Sequence, residues 1–286
     1  MPVRLRRDTL IAVLIFSGAL FVFKKLQLVL LAAVFVLFAG CAAVEKQAFN
    51  RAANKTIKSI TVLEPSPAEG FGVLVLNHPA LGFGLIGATI YATEMKVKST
   101  AFDDAMKPLN WSLTDDLTQQ LVAALKADGY VVKRAKVARD ARTLIKDYGS
   151  LRSDASVKEA LTSDAWLDVQ TRDPLYVANS PTADYVPSIG LTVRLVTAAD
   201  QTLLYREDFF YGFSFNAPRL AAVVIASDPK YRYATTDELK RDTRATLAGA
   251  AQGVPLLVAR IVSDLRHDGL QPAVKSAATD AVVAPK

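Results

Sequence analysis

Few groups in this sequence are of a type and spacing that could carry out a reaction. The 2 histidines lie far apart. His78 precedes Pro79, and His267 falls near the end of a long apolar periodicity. A metal site needs several histidines, cysteines or carboxylates at ligand spacing, and no such cluster is written here. His267 reads instead as a favourable charge at the negative end of a helix. No serine occupies a Gly-x-Ser-x-Gly turn, and neither histidine falls in a triad context. Asp103-Asp104, Asp115-Asp116 and Glu207-Asp208 are adjacent carboxylates, but neighbours on a strand face opposite sides and acidic residues are mostly exposed. Gly82-Phe83-Gly84-Leu85-Ile86-Gly87 spells Gly-x-Gly-x-x-Gly, with Asp103 and Asp104 about 20 residues later, as in a dinucleotide-binding turn. Context rejects that reading. Five residues, Pro79 among them, separate the glycines from the apolar run before them, and Ala88 to Thr100 holds no second parallel strand. The expectation is a protein that is not an enzyme and holds no cofactor and no metal.

The remaining group is Cys41, the sole cysteine. From Leu26 to Gly40 every residue except Gln27 is apolar or glycine, and Lys24-Lys25 precede the run. A positive start, a short apolar core and small residues at the end describe a secretory signal peptide over residues 1–40. A transmembrane helix needs about 20 apolar residues, more than this run supplies. Ala39-Gly40-Cys41, with Phe38 where Leu, Val or Ile is usual, resembles a bacterial lipobox, the site cut by a lipoprotein signal peptidase. The resemblance implies lipidation of Cys41, with a diacylglycerol thioether and an acylated amino group of the palmitate class. Several acyl chains at about 0.8 kcal/mol per buried methylene hold a protein durably on a membrane. Ala42 in place of an aspartate implies, on the same resemblance, the periplasmic face of the outer membrane. The competing reading is a buried thiol in a membrane helix. Upstream, Arg4, Arg6 and Arg7 precede a second apolar run, Leu10 to Phe23. The expectation is that residues 1–21 come from a misassigned start and that Val22 is the start codon, giving Met-Phe-Lys-Lys-Leu.

The net charge of +6, from 34 basic and 28 acidic residues, belongs largely to this leader. Its first 40 residues hold five basic groups (Arg4, Arg6, Arg7, Lys24, Lys25) and one acid (Asp8), leaving 29 against 27, or +2. A near-neutral domain without a basic tract excludes a nucleic-acid footprint. The 246 residues from Cys41 onward suffice for one domain.

Residues 41–56, polar and alanine-rich, read as a tether. Residues 57–270 then read as a single domain. Lys58–Leu63 has strand character, and Gly72–Leu76 is a continuous apolar run of the kind found in a central strand covered on both faces. Leu81 to Tyr91 is an apolar segment that is either core or contact surface. Ser112–Asp128 is an amphipathic helix, with Ser112 and Asp115 as a capping box and Gly129 as its terminator. Tyr130–Ala135 reads as a strand, Arg139–Tyr148 and Ser156–Leu161 as short helices, and Ala165–Val169 as a strand. Arg172–Pro187, with three prolines, reads as a long exposed loop. Alternation through Ile189, Leu191, Val193 and Leu195, the turn at Ala199-Asp200-Gln201, and a return through Leu203, Tyr205, Phe209 and Tyr211 define a hairpin. A last helix starts at Thr235, capped with Glu238, and breaks near Gly253 and Pro255. Residues 271–286 read as a disordered tail. The fold class expected is α/β, an α/β sandwich in which a mixed β-sheet with an antiparallel hairpin is packed by two main amphipathic helices.

Val73–Leu76, the helix carrying Leu117 and Leu121, and Gly129-Tyr130-Val131-Val132 together resemble a domain shared by several envelope lipoproteins, over roughly residues 58–215. These include the curli-secretion lipoprotein and activators of penicillin-binding proteins; the amino-terminal domain of the Tol-system translocation protein is similar. The glycine-rich insertion at 82–87 departs from them. The resemblance implies a binding or assembly module in an envelope complex. It would be held to the membrane through Cys41 and act on an envelope protein partner or on further copies of the chain. Phe83, Leu85, Ile86 and Tyr91 in the apolar segment, and Tyr176 and Tyr185 in the long loop, are the candidate partner contacts. Two other functions stay open: a carrier of lipid or another apolar ligand, which a dry cavity would favour, and a periplasmic hydrolase, which would need convergent polar groups.

Overall fold

The computed structural model describes residues 46–64, 67, 70–139, 142–152, 157–159, 161–215 and 221–266. Cys41, Ser156, Ala160, His267 and the tail at 271–286 lie outside these residues. Residues 46–286 form one compact unit, a mixed α/β domain. In chain order its elements are β1 (Ser59–Glu64), β2 (Gly72–Val75), a 3-10 turn (Pro79–Phe83), α1 (Gly84–Met106), α2 (Leu113–Ala127), β3 (Val131–Lys136), α3 (Gly149–Arg152), β4 (Ala165–Thr171), β5 (Leu175–Ala178), β6 (Val186–Thr197), β7 (Leu203–Gly212), β8 (Val223–Ile225), α4 (Thr236–Arg241), α5 (Thr243–Ala251) and α6 (Gly253–Leu265).

The eight strands form one sheet. β6 is its long axis, pairing with β7 on one edge through the expected hairpin. On the other edge it pairs first with β4, at Thr171↔Leu191, and then with β5, at Leu175↔Ser188. β5 therefore continues β4. In the same way β1 lies parallel to β4, and β2 lies parallel to β5. β3 closes one side parallel to β1, and β8 the other parallel to β7. β2, β3, β5 and β7 consequently all run toward the same end of the sheet.

Alternation along the strands divides the core. Ile60, Val62, Leu167, Val193 and Phe209 face α2 and α6, while Leu63, Trp166 and Val196 cluster with Ile145, Tyr148 and Leu151. α2 starts as expected: Asp115 N–H donates to Ser112 Oγ at 3.2 Å, and Gly129, at φ 101°, terminates it in a conformation that favours glycine. Glu238 N–H donates to Thr235 Oγ1, and Ala234 N–H donates to the Glu238 carboxylate, so the last helical region also begins as expected. That region is broken twice, at Asp242 and at the α5–α6 junction, where Pro255 falls in the first turn of α6 and so needs no donor. The 23 residues from Thr243 to Leu265 are apolar enough to cross a membrane, but half of that window is buried here against the sheet.

Five expectations are corrected. Gly72–Val75 is not central: β2 pairs only with β5. It is nevertheless buried, because α1 runs along its open edge. Asp103 Oδ1 accepts from Phe71 N–H at 2.7 Å, Ser99 Oγ bonds both Val73 N–H and Val73 O, and Tyr91 O–H donates to Val75 O at 2.8 Å. A covered edge of this kind is one way to prevent strand addition. Secondly, α1 itself stands where no helix was expected. Thirdly, Arg172–Pro187 is not an exposed loop, since β5 forms within it. Fourthly, residues 142–148 are turns and bends and not a helix. Finally, the tether is shorter than residues 41–56, because the chain joins the domain at Lys46. Gln47 and Arg206 exchange backbone hydrogen bonds at 3.1 and 2.8 Å as an antiparallel bridge, and Phe49 is buried in the main core.

Candidate functional site

The apolar segment forms a rigid tip at the junction of the 3-10 turn and α1. His78 opens the turn: its Nδ1 accepts from Ala80 N–H at 3.2 Å, and its Nε2 lies 3.4 Å from Glu94 Oε2. Its ring lies 5.4 Å from that of Tyr91. His78 therefore fastens the turn to the helix. Two of the three glycines of the motif have the same purpose. Gly84, at φ 62°, lets the chain pass from turn to helix. Gly87 packs under the turn, where an added Cβ would sit 1.7 Å from Ala80 O.

Above this base the side chains stand in solvent: Phe83 is 77%, Leu85 89%, Ile86 76% and Ile90 57% exposed. Ile86, Ile90, Thr93 and Val97 follow helical spacing along one face. From Gly70 to Thr93 there is no Asp, Glu, Lys or Arg. The Thr89 and Thr93 hydroxyls turn inward to Leu85 O and Thr89 O, each at 2.9 Å. The first charges met along the helix are Glu94 and Lys96, and Glu94 pairs with Lys98 at 2.6 Å. The hydrogen bond from Lys98 holds the Glu94 carboxyl below its usual range, whereas burial, with the Glu94 charge adding to it, pushes the Tyr91 phenol up.

The sequence reading linked this segment to two tyrosines of the supposed loop, and the structure separates them. Phe83, Leu85 and Ile86 are on the tip, and Tyr91 is half-buried at its base. Tyr176 is fully buried, donating to Thr246 O at 2.8 Å, and burial pushes its phenol well above the usual range. Tyr185 is 6% exposed, and its backbone bridges Tyr233. Neither offers a side-chain surface to a partner, because β5 and the first residues of β6 draw both rings under α1, α4 and α5. Ile90, within the expected segment Leu81–Tyr91, belongs to the exposed surface, and so does Val97, which was missed; its helical spacing from Ile86 and Ile90 was the available signal.

The carboxylate pairs have structural partners. Asp103 and Asp104 both meet Lys107, Asp116 accepts from Trp111 Nε1 at 3.1 Å, Glu207 pairs with Lys46 at 2.6 Å, and Thr192 bonds Asp208. One polar cluster escaped the sequence reading. Asp168, with no exposed surface, takes Arg139 on one oxygen; on the other it takes Arg194 at 3.0 Å, Ile145 N–H at 3.0 Å and Tyr148 O–H at 2.8 Å. Burial lowers the Arg139 pKa, and burial followed by the Asp168 charge raises that of Tyr148. Sealed from water and saturated with donors, this carboxylate ties Arg139, Ile145 and Tyr148 to β4 and β6. Among the described residues no three His, Cys, Asp or Glu side chains are grouped as metal ligands. Between α2 and the sheet, a cavity of about 10 Å³ lined by Val62, Leu117, Leu121 and Val169 has room for roughly one water and none for an acyl chain.

No protein-family model matches the chain, and no curated protein matches it. Among solved structures it is similar to the crystal structure of protein XCC0632 from Xanthomonas campestris, described by the family model DUF330. The identity is 17%, over 71% of this chain and 81% of that one, with a TM-score of 0.32. At that score the likeness assigns neither a family nor a function.

Proposed function

We propose that the protein is a bacterial envelope lipoprotein, anchored through acyl chains on Cys41 to the periplasmic face of the outer membrane. Its α/β domain then acts without catalysis as a binding or assembly module. One observation carries the reading: a rigid tip built from an uncharged stretch, with Phe83, Leu85 and Ile86 each more than three-quarters exposed. A domain with no partner would leave such a patch open to water at a cost, and contiguous exposed apolar surface marks interaction sites. The lipobox-like Ala39-Gly40-Cys41 and the resemblance to envelope lipoprotein domains support this location. The saturation of Asp168 by buried donors argues against its use in hydrolysis, and the tightness of the cavity beneath α2 argues against carriage of an apolar ligand there.

The test is metabolic labelling with radioactive or clickable palmitate in a bacterial host, followed by membrane fractionation. The full-length chain should take up label and sediment with the outer membrane, and Cys41→Ala should abolish both. Absence of label, or equal label in the two proteins, would refute the anchoring.

A further inference from the structure

The sheet topology places the exposed tip at the end of the domain toward which the anchored chain leads. β2 and β7 run in the same direction, because both are antiparallel to β6 or parallel to its antiparallel partner β5. The bridge Gln47↔Arg206 is antiparallel to β7. Traced backward from Gln47, the chain therefore heads toward the C-terminal end of β7, and Lys46 already reaches Glu207. β2 ends at that same end of the sheet and delivers the 3-10 turn. α1 then runs back along β2, with Tyr91 beside Val75, Ser99 beside Val73 and Asp103 beside Phe71. The residues before Tyr91 thus overhang the strand by two helical turns, about 10 Å. Phe213 and Phe215, with rings 5.2 Å apart and half-buried, follow β7 at the same end.

The leash is short. Four residues lie between Cys41 and Lys46, and five steps of an extended chain at about 3.6 Å each span at most roughly 18 Å. A domain held so closely meets the membrane with whichever surface lies on that side. Here that surface is apolar and free of charge from Gly70 to Thr93, with its threonine hydroxyls satisfied inside the helix. A protein-binding surface is normally rimmed by polar and charged groups. The headgroup–acyl boundary of a bilayer favours a rigid element carrying Phe, Leu and Ile. Resting on the lipid-anchored reading above, we propose that this tip inserts in the surface of the membrane that holds Cys41. Phe83, Leu85 and Ile86 would sit at the acyl boundary and fix the tilt of the domain.

The test uses the full-length acylated protein, purified and reconstituted into phosphatidylethanolamine–phosphatidylglycerol vesicles. Acylation blocks the only native thiol, so Phe83→Cys, Leu85→Cys and Ile86→Cys can each carry a single environment-sensitive dye. Lys126→Cys, exposed at the opposite end of the sheet, serves as control. Lipids bearing a nitroxide on the acyl chain should quench the three tip positions at least about twofold more than the control, as expected for residues held 5–10 Å into the boundary. Adding Ile90→Asp to the Leu85→Cys protein should remove the difference while leaving the far-UV spectrum unchanged. Mass analysis of the Cys41 peptide distinguishes loss of the anchor from loss of the membrane contact. Acylated protein with no excess quenching at the tip overturns the membrane contact and leaves the anchoring intact. In that case photo-crosslinks from position 85 to a protein in whole cells would assign the tip to a partner. Unacylated Cys41 overturns the anchoring and, with it, this use of the tip.

Discussion

Replacing Asp168 with alanine removes a carboxylate that neutralises two guanidinium groups in the interior. The Arg139 and Arg194 side chains are only 8% and 15% exposed. Ile145 N–H and Tyr148 O–H also lose their acceptor. Breaking a buried ion group by removing one partner costs about 3–5 kcal/mol, because the partner charge stays buried without compensation. For a domain of total stability about 5–15 kcal/mol, this is a third or more of the total in many cases. With a urea m-value of about 2 kcal/mol/M, the midpoint should fall by roughly 1.5–2.5 M. Trp166, buried and with its ring 6.2 Å from that of Tyr148, reports the transition by fluorescence. The double variant Asp168→Ala/Arg139→Met should lose less than the sum of the single changes, since it no longer strands that guanidinium. Amide exchange should quicken first in residues 142–148, which the carboxylate ties to the sheet. A loss below about 1 kcal/mol, or strict additivity of the two changes, would refute the view that Asp168 organises this half of the domain.

Other perturbations test other parts of the structure. Gly87→Val should push the 3-10 turn off α1, because the new Cβ has no room beside Ala80 O; expect about 1–3 kcal/mol of destabilisation and faster proteolysis near residues 79–86, with the β6–β7 hairpin unaffected in amide exchange. Tyr176→Phe leaves Thr246 O without its buried donor and should cost about 1–3 kcal/mol in denaturation. The Asp200 carboxyl in the hairpin turn is lowered from 3.8 to about 2, first by the hydrogen bond from Thr197 and then by Thr202 N–H. A depressed carboxyl adds stability that is complete above its unfolded value and disappears as pH falls through its folded one. The Asp200 contribution should therefore be present above about pH 4 and be lost toward pH 2, and Asp200→Asn should flatten that part of the acid profile in pH-dependent thermal melts.

Much of the fold was legible because its signals are local. Alternation marked β6 and β7, and serine, threonine and glycine at the expected offsets marked the ends of α2 and the start of α4. α1 was missed because its apolar residues are divided between its buried and its exposed faces. Met95, Phe102 and Met106 face the core, while Leu85, Ile86, Ile90 and Val97 face water, so no single periodicity emerges. β2 resembled a central strand because a helix covers its edge, and burial leaves the same mark on the sequence whether a strand or a helix provides it. Tyr176 and Tyr185 were misplaced because Pro174, Pro181 and Pro187 read as loop punctuation. In the sheet these prolines flank or open short strands, where a missing N–H is tolerated. Asp168 gave no sign at all: its partners lie 20 to 29 residues away in one direction and 26 in the other, and only folding brings them together.

The most direct measurement is the intact mass of the mature protein extracted from the membranes of a bacterial host. A lipid anchor at Cys41 predicts a chain beginning at Cys41, heavier than residues 41–286 by a diacylglyceryl group and one amide-linked acyl chain, with no peptide from residues 1–40. A membrane-extracted chain that retains those residues, or begins at an unmodified Cys41, would contradict it.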